Sequence, residues 1–235
     1  MARVYWSVAS LPSVEEIEDL RVYLDGVFPL EENRAYIDAL MGRANRRAIP
    51  RVTVARLGAL SLLPAMFARA GIEPATIRLA RDENGRPYGQ CISGECIRFD
   101  FNLSHSDAHV ACALLVGDGR VGVDAEELLT PKRALPLIDH YCTEGEKKAL
   151  ETLSDMEKAT AFTRMWTIRE ALSKQDGRGM PLRYDASLIP DSVRVFCATV
   201  PEIGTQMALC VPTDVELSDL VEMSPYSALQ WKMVE

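Results

Sequence analysis

Two short phrases hold the side chains best suited to chemistry: Asp124 and Glu126 in Val-Gly-Val-Asp-Ala-Glu, and Glu170 and Lys174 in Trp-Thr-Ile-Arg-Glu-Ala-Leu-Ser-Lys. In an extended segment, side chains two apart point the same way. Asp124 and Glu126 can therefore face one cation while Val123 and Ala125 turn to the opposite side. On a helix, residues four apart share a face, which stacks Phe162, Trp166, Glu170 and Lys174 into a stripe that is apolar at its start and ionisable at its end. Hard carboxylate oxygens suit magnesium, which keeps positions open for water and phosphate, and a neighbouring lysine suits a polyphosphate. The plainer readings are a solvated strand end and an ordinary helical ion pair, the latter worth only about 0.2–0.5 kcal/mol. Against the first stands the cost of like charges on one strand face with no cation between them.

Two further groups could serve an anion. Phe101-Asn-Leu-Ser-His-Ser-Asp107 puts Ser104 beside His105, but adjacent extended residues point to opposite faces and no Gly-x-Ser-x-Gly elbow is present. A hydrolase triad is excluded on that ground. The phrase reads instead as a polar loop, either a phosphate-binding surface or a turn that satisfies its own backbone. Between Ala39 and Ile72 there is no acidic residue, while Arg43, Arg46, Arg47, Arg51, Arg56 and Arg69 all fall there. Surface helices normally mix both signs, so an anion site competes with a solvated face. Arg86, in Gly-Arg-Pro-Tyr, sits in a turn where a lone arginine is usually exposed.

The net charge of −8 argues against general nucleic-acid binding. Length and composition are those of a globular protein able to bury a core without disulfides. No apolar run reaches the roughly 20 residues needed to span a bilayer, and the N-terminus lacks a signal-peptide core. The cysteines form no Cys-x-x-Cys pair and read as reduced core thiols, with a cytoplasmic location expected.

The elements that position these residues are announced locally. Strands are expected at Arg3–Val8, Val110–Val116, Val121–Ala125, Val193–Val200 and Met207–Val211. Ser13 with Glu16, Thr143 with Glu146, and Ser154 with Glu157 fit the Ser/Thr-x-x-Glu capping box, predicting helices near 14–25, 144–153 and 155–175. Pro50 opens a further helix over Val52–Ala70, kinked at Pro64 and stopped by Gly71. Gly117-Asp-Gly-Arg120 reads as a hairpin turn and as the boundary between halves at 1–118 and 119–235. Mixed rather than alternating elements favour an α+β fold with largely antiparallel sheets.

Taken in order, Gly-Arg-Pro, Phe-Asn-Leu-Ser-His-Ser, Val-Gly-Val-Asp-x-Glu and Trp-x-x-Arg-Glu-Ala-x-x-Lys resemble the 4′-phosphopantetheinyl transferases of the surfactin-synthetase-activating type. The resemblance covers about Arg46 to Met180. It implies a pseudo-twofold pair of α/β halves, each a small antiparallel sheet packed with helices, with the site in the cleft between them. It implies an enzyme that moves the phosphopantetheine arm of coenzyme A onto a serine of an acyl or peptidyl carrier protein, releasing 3′,5′-ADP, and that acts as a monomer without membrane or nucleic acid. Asp124, Glu126 and Glu170 would hold Mg2+. Glu170 would also act as base and Lys174 as acid, with Lys174 and His105 on phosphate oxygens. Arg56, Ser104 and His105 would bind the 3′-phosphate, and Arg86 would lie along the adenine or its phosphates. Arg169 stands where the family usually has lysine. Basic residues that some relatives carry fall near Met41 and Ala44, with Arg43, Arg46 or Arg47 as candidates to replace them. A magnesium-dependent hydrolase of coenzyme A or a nucleotide pyrophosphate is the alternative reading of the same carboxylates.

Overall fold

A computed structural model describes residues 2–45, 50–92, 97–177, 189–224 and 231–234. Arg46, Arg47, Cys96 and the side chain of Arg43 lie outside the described residues. The chain runs β1 (Arg3–Ser10), α1 (Ile17–Val27), α2 (Glu31–Asn45), α3 (Pro50–Ser61), α4 (Leu63–Ala70), β2 (Ile77–Arg81) and β3 (Pro87–Cys91). It continues with β4 (Phe99–His105), β5 (His109–Val116), β6 (Gly122–Glu127), α5 (Pro131–Tyr141), α6 (Glu144–Leu150) and α7 (Asp155–Asp176). The strands β7 (Val193–Val200), β8 (Thr205–Pro212), β9 (Leu220–Glu222) and β10 (Lys232–Met233) complete it.

The fold is α+β. One sheet has the order β4-β5-β1-β9, another β10-β7-β8-β6, and β2 with β3 forms a two-stranded ribbon. All pairings are antiparallel except that of β1 with β9, which is parallel and brings a strand from the end of the chain onto the first sheet. Alternation along the strands defines the layers. In β1 and β5, Tyr5, Cys112 and Leu114 face a core filled by α1, α2, α3 and α4. Their neighbours Val4, Trp6, Val8, Ala111, Ala113 and Leu115 face Val123, Ala125, Met207, Leu209 and Val211 of the second sheet. The other face of β8, Ala208 and Cys210, packs on Ile168, Ala171 and Leu172 of α7. The order of layers is thus helices, sheet, sheet, helix.

The capping boxes form as expected: Glu16, Glu146 and Glu157 accept the backbone N–H of Ser13, Thr143 and Ser154 at 2.6, 2.8 and 2.8 Å. Other expectations need correction. The segment Val52–Ala70 is two helices that break at Leu62, with Pro64 in the first turn of the second. As one stretch, Pro50–Ala70 is long and apolar enough by composition to cross a membrane, contrary to the reading above, but it is mostly buried inside the fold. Gly117–Arg120 is not a hairpin turn: β5 pairs with β4 and β1, and β6 pairs with β8, so the chain passes there from one sheet to the other. Of the phrase read as a polar loop, Phe101 to His105 lie in β4 and Ser106 and Asp107 follow it. Cys112, Cys142, Cys197 and Cys210 are buried free thiols, and Cys91 is partly buried.

Candidate active site

Strand β6 is the edge of its sheet, and its free edge is covered by side chains of β4 instead of a backbone ladder. Asp100 Oδ2 accepts Val121 N–H at 2.8 Å, Asn102 Oδ1 accepts Val123 N–H at 3.0 Å, and Ser104 Oγ donates to Asp124 Oδ1 at 2.7 Å. One step further, Glu127 accepts the Ser106 hydroxyl and, at 2.8 Å, Ala108 N–H. The period-two run Asp100, Asn102, Ser104, Ser106 is therefore a single rail joining the sheets. It also satisfies edge donors that would otherwise be buried unpaired. Sequence reasoning singled out Ser104 from it and missed Asn102; the alternation of polar residues from Asp100 onward was the available signal.

Helix α7 closes the site from the other side. Lys174 Nζ donates to Asp124 Oδ1 at 2.6 Å and to Ser104 Oγ at 2.9 Å, so helix and both strands meet at one carboxylate oxygen. The approach is permitted by Gly122: a Cβ there would lie 2.0 Å from the backbone oxygen of Ala171 and 2.8 Å from Gln175 N. Any side chain at 122 would push α7 off β6. Phe162 is buried, and Trp166, half-buried, packs on it and on Tyr141.

Asp124 is only 2% exposed, and its second oxygen, Oδ2, is buried with no hydrogen-bond partner. Burial, and then the charge of Asp124, push the Glu126 carboxyl up to about 8; Lys174 opposes the shift and Glu170 adds to it. The same two causes raise Glu170. Asp124 with its orphaned oxygen, and Glu126 and Glu170 raised by burial and by the charge of Asp124, offer hard oxygens of the kind that a divalent cation takes. Among the described residues no group of three His, Cys, Asp or Glu forms a ready metal cage. Magnesium does not require one, since it keeps several waters and takes substrate phosphates as ligands.

His105 points to the opposite side of β4 from Ser104 and lines two cavities. The smaller, about 150 Å3, is bounded by Tyr36, Leu40, Arg56, Arg81, Pro87 and Leu103. The larger, about 390 Å3, is bounded by Arg51, Val52, Asp107, Glu126, Leu129 and Arg133, among others. Protein packed around the imidazole, and then the charges of Lys174 and Arg56, lower its pKa. Neutral near pH 7, it can donate or accept one hydrogen bond.

Asp124, Lys174 and Ser104 thus meet at one junction with Glu126 and Glu170 beside it, while His105 and Arg56 line the adjoining cavity and Ser104 does not. Arg86 is placed elsewhere. It is buried, not exposed in its turn, because its guanidinium pairs with Asp100 and donates to Val121 O at 3.0 Å, fastening the start of β6. Arg81 and Pro87 flank the smaller cavity in its stead.

Comparison with known proteins agrees with the motifs. A family model described as the 4′-phosphopantetheinyl transferase superfamily matches residues 120–210. The 4′-phosphopantetheinyl transferase Sfp of Bacillus subtilis is 25% identical over 226 residues, covering 86% of this chain and 97% of its own length. HetI of a Nostoc species, a protein of the same description, is 31% identical over 149 residues, 60% of this chain and 59% of its own. The transferase gsp of Aneurinibacillus migulanus is 28% identical over 126 residues, 53% of this chain and 48% of its own. The chain spans about half the length of this last relative and of a second Bacillus subtilis transferase. The chain is similar to the 4′-phosphopantetheinyl transferase superfamily, including members of the surfactin-activating type.

Proposed function

We propose that this protein transfers the 4′-phosphopantetheine arm of coenzyme A to a serine of an apo acyl or peptidyl carrier protein, with magnesium, and releases 3′,5′-ADP. The observation that carries the reading is the junction of β4, β6 and α7. There, Lys174 and Ser104 meet Asp124, whose other oxygen is orphaned, with Glu126 and Glu170 raised beside it. The family resemblance supports the substrate pair. On this reading the parts 1–118 and 119–235 have separate tasks, the first holding the adenosine and its 3′-phosphate, the second the pyrophosphate.

Asp124, Glu126 and Glu170 would hold the magnesium ion, which when bound would neutralise charge on the pyrophosphate. Arg56 and His105 bind the 3′-phosphate as donors, with Ser104 behind them. Lys174 Nζ donates to a phosphate oxygen of the leaving group and steadies the charge that grows there. The Glu170 carboxylate, its proton affinity raised by burial and by Asp124, takes the proton of the carrier serine. The serine oxygen forms its bond to the β-phosphorus as the bond to 3′,5′-ADP breaks. The large cavity beside Glu126 leaves an approach for the acceptor.

The test is chromatographic detection of 3′,5′-ADP from coenzyme A and Mg2+, with and without an apo carrier protein. Release should require the carrier. Release without it would show water as the acceptor and replace the transferase reading with a hydrolase.

A further inference from the structure

Arg169 stands next to Glu170 but faces away from the reaction site, and it is 2% exposed. Its Nη2 donates to both carboxylate oxygens of Glu146, at 2.5 and 2.6 Å, and its Nη1 to Tyr141 O at 3.4 Å. Each partner ends a helix. Tyr141 closes α5, and its carbonyl is one that the helix itself leaves unpaired. Glu146 closes the N-terminus of α6, where its Oε2 also accepts Thr143 N–H at 2.8 Å and Thr143 Oγ1–H at 3.1 Å. One guanidinium thus ties α7 to the end of α5 and the start of α6. A lysine in its place would offer one compact point charge, whereas the guanidinium reaches Glu146 through Nη2 and Tyr141 O through Nη1, two nitrogens held in one plane.

The opposite side of α7 is pressed against β6 at Gly122. Contact at Gly122, with Ile168, Ala171 and Leu172 packed on the second sheet, sets the distance between helix and strand, but backbone and apolar contact prescribes the roll of the helix less sharply than a hydrogen-bonded tether does. Neighbouring residues on a helix are about 100° apart in azimuth, so a buried tether at 169 fixes the direction in which 170 points. The remaining restraints on this side are one hydrogen bond near the start of the helix, from Leu129 N–H to Thr163 Oγ1 at 3.2 Å, and the apolar packing of Phe162, Met165 and Trp166 against Ala134, Ile138 and Leu150. Such packing fills space without prescribing an angle as hydrogen bonds do.

We propose that Arg169 is a positioning residue: with Glu146 it sets the roll of α7 so that Glu170 and Lys174 converge on Asp124 and Glu126. The inference rests on the transferase reading for its kinetic consequence, but not for its geometric one. The whole chain should be compared with Arg169→Met and with Arg169→Met/Glu146→Met, by thermal unfolding, Mn2+ binding followed by electron paramagnetic resonance, and steady-state transfer. The single variant strands a buried carboxylate and should unfold at lower temperature. The double removes both charges and should recover part of that loss, the rest being the α6 cap that Glu146 also supplies. Despite that recovery, the double should bind Mn2+ about fivefold more weakly and lose about tenfold in kcat with little change in KM for coenzyme A, because misdirected groups, not lost contacts, are the defect. A stable double variant with parental Mn2+ affinity and kcat would overturn the proposal, leaving the pair a scaffold only. Should the double fail to fold, Arg169→Lys, which keeps the charge but not the fork, decides by the same readouts, with weaker Mn2+ binding expected and parental values contradicting. A parent that binds Mn2+ but transfers nothing would remove the transferase reading and leave the Mn2+ comparison to judge Arg169.

Discussion

The two sides of α7 solve the problem of buried charge in opposite ways. Facing β6, Glu170 and Lys174 meet Asp124 and Glu126, so three acids share one cation, an oxygen of Asp124 lacks a partner, and the Glu126 carboxyl is pushed up to about 8. On the far side, Arg169 and Glu146 form a one-to-one pair whose carboxylate oxygens are all engaged. Fixed structure is built from satisfied groups. On the far side both oxygens of the Glu146 carboxylate have donors, although Arg169 Nε is buried without a partner, whereas Asp124 Oδ2 is an acceptor left open beside two further acids. On the proposed reading the crowded face is the functional one, and the face paired through Arg169 and Glu146 holds it in place.

This contrast can be broken at the point where the crowded face depends on backbone contact. Gly122→Val should be the most damaging change, because its side chain must displace the Ala171 carbonyl. We expect a loss of about 1–3 kcal/mol in stability from overpacking. The loss of transfer should be larger, at least about a hundredfold, since a displacement near 1 Å suffices for that. Thermal unfolding and transfer rates measured side by side would check it; a parental rate would mean that the approach of α7 to β6 is not what assembles the site.

A smaller effect probes the crowding itself. Because the folded-state pKa of Glu126 lies near 8 and its ordinary value is 4.5, the folded protein holds an extra proton between those limits. Its contribution to stability is present at low pH and is lost as pH rises through 8. Glu126→Gln removes that dependence. Without divalent cations the variant should melt close to the parent at pH 5 and above it at pH 8.5, by about 2–4 °C after allowing for the partial exposure of the group. Equal melting temperatures at both pH values would show that the carboxylates are not competing.

Whatever is decided within a few residues was legible in the sequence. The three capping boxes, the alternation that turns Asp124 and Glu126 away from Val123 and Ala125, and the i,i+4 stripe on α7 all follow from local geometry. Pairing is not local. Gly117–Arg120 has the composition of a hairpin turn, but the partners of β5 and β6 are chosen by residues far along the chain. β4 escaped notice because Asn102 and Ser104, polar residues that usually mark loops, are here the rail between two sheets. Two helices were missed: α2, with little separation of apolar and polar faces, and α5, which carries Pro136 in its interior. Arg86 was expected along the adenine or its phosphates, because nothing local showed its pairing with Asp100 on another element, and the role of Arg169 was open until Glu146 stood against it.

We propose that this crowded junction moves a phosphopantetheine arm onto a carrier serine. Intact-mass measurement of several apo carrier proteins, incubated with coenzyme A, Mg2+ and either the parent or Glu170→Gln, tests it most directly. The parent should add one phosphopantetheine to at least one carrier, and the folded variant none over the same time. No gain on any carrier, or an equal gain with both proteins, would contradict it.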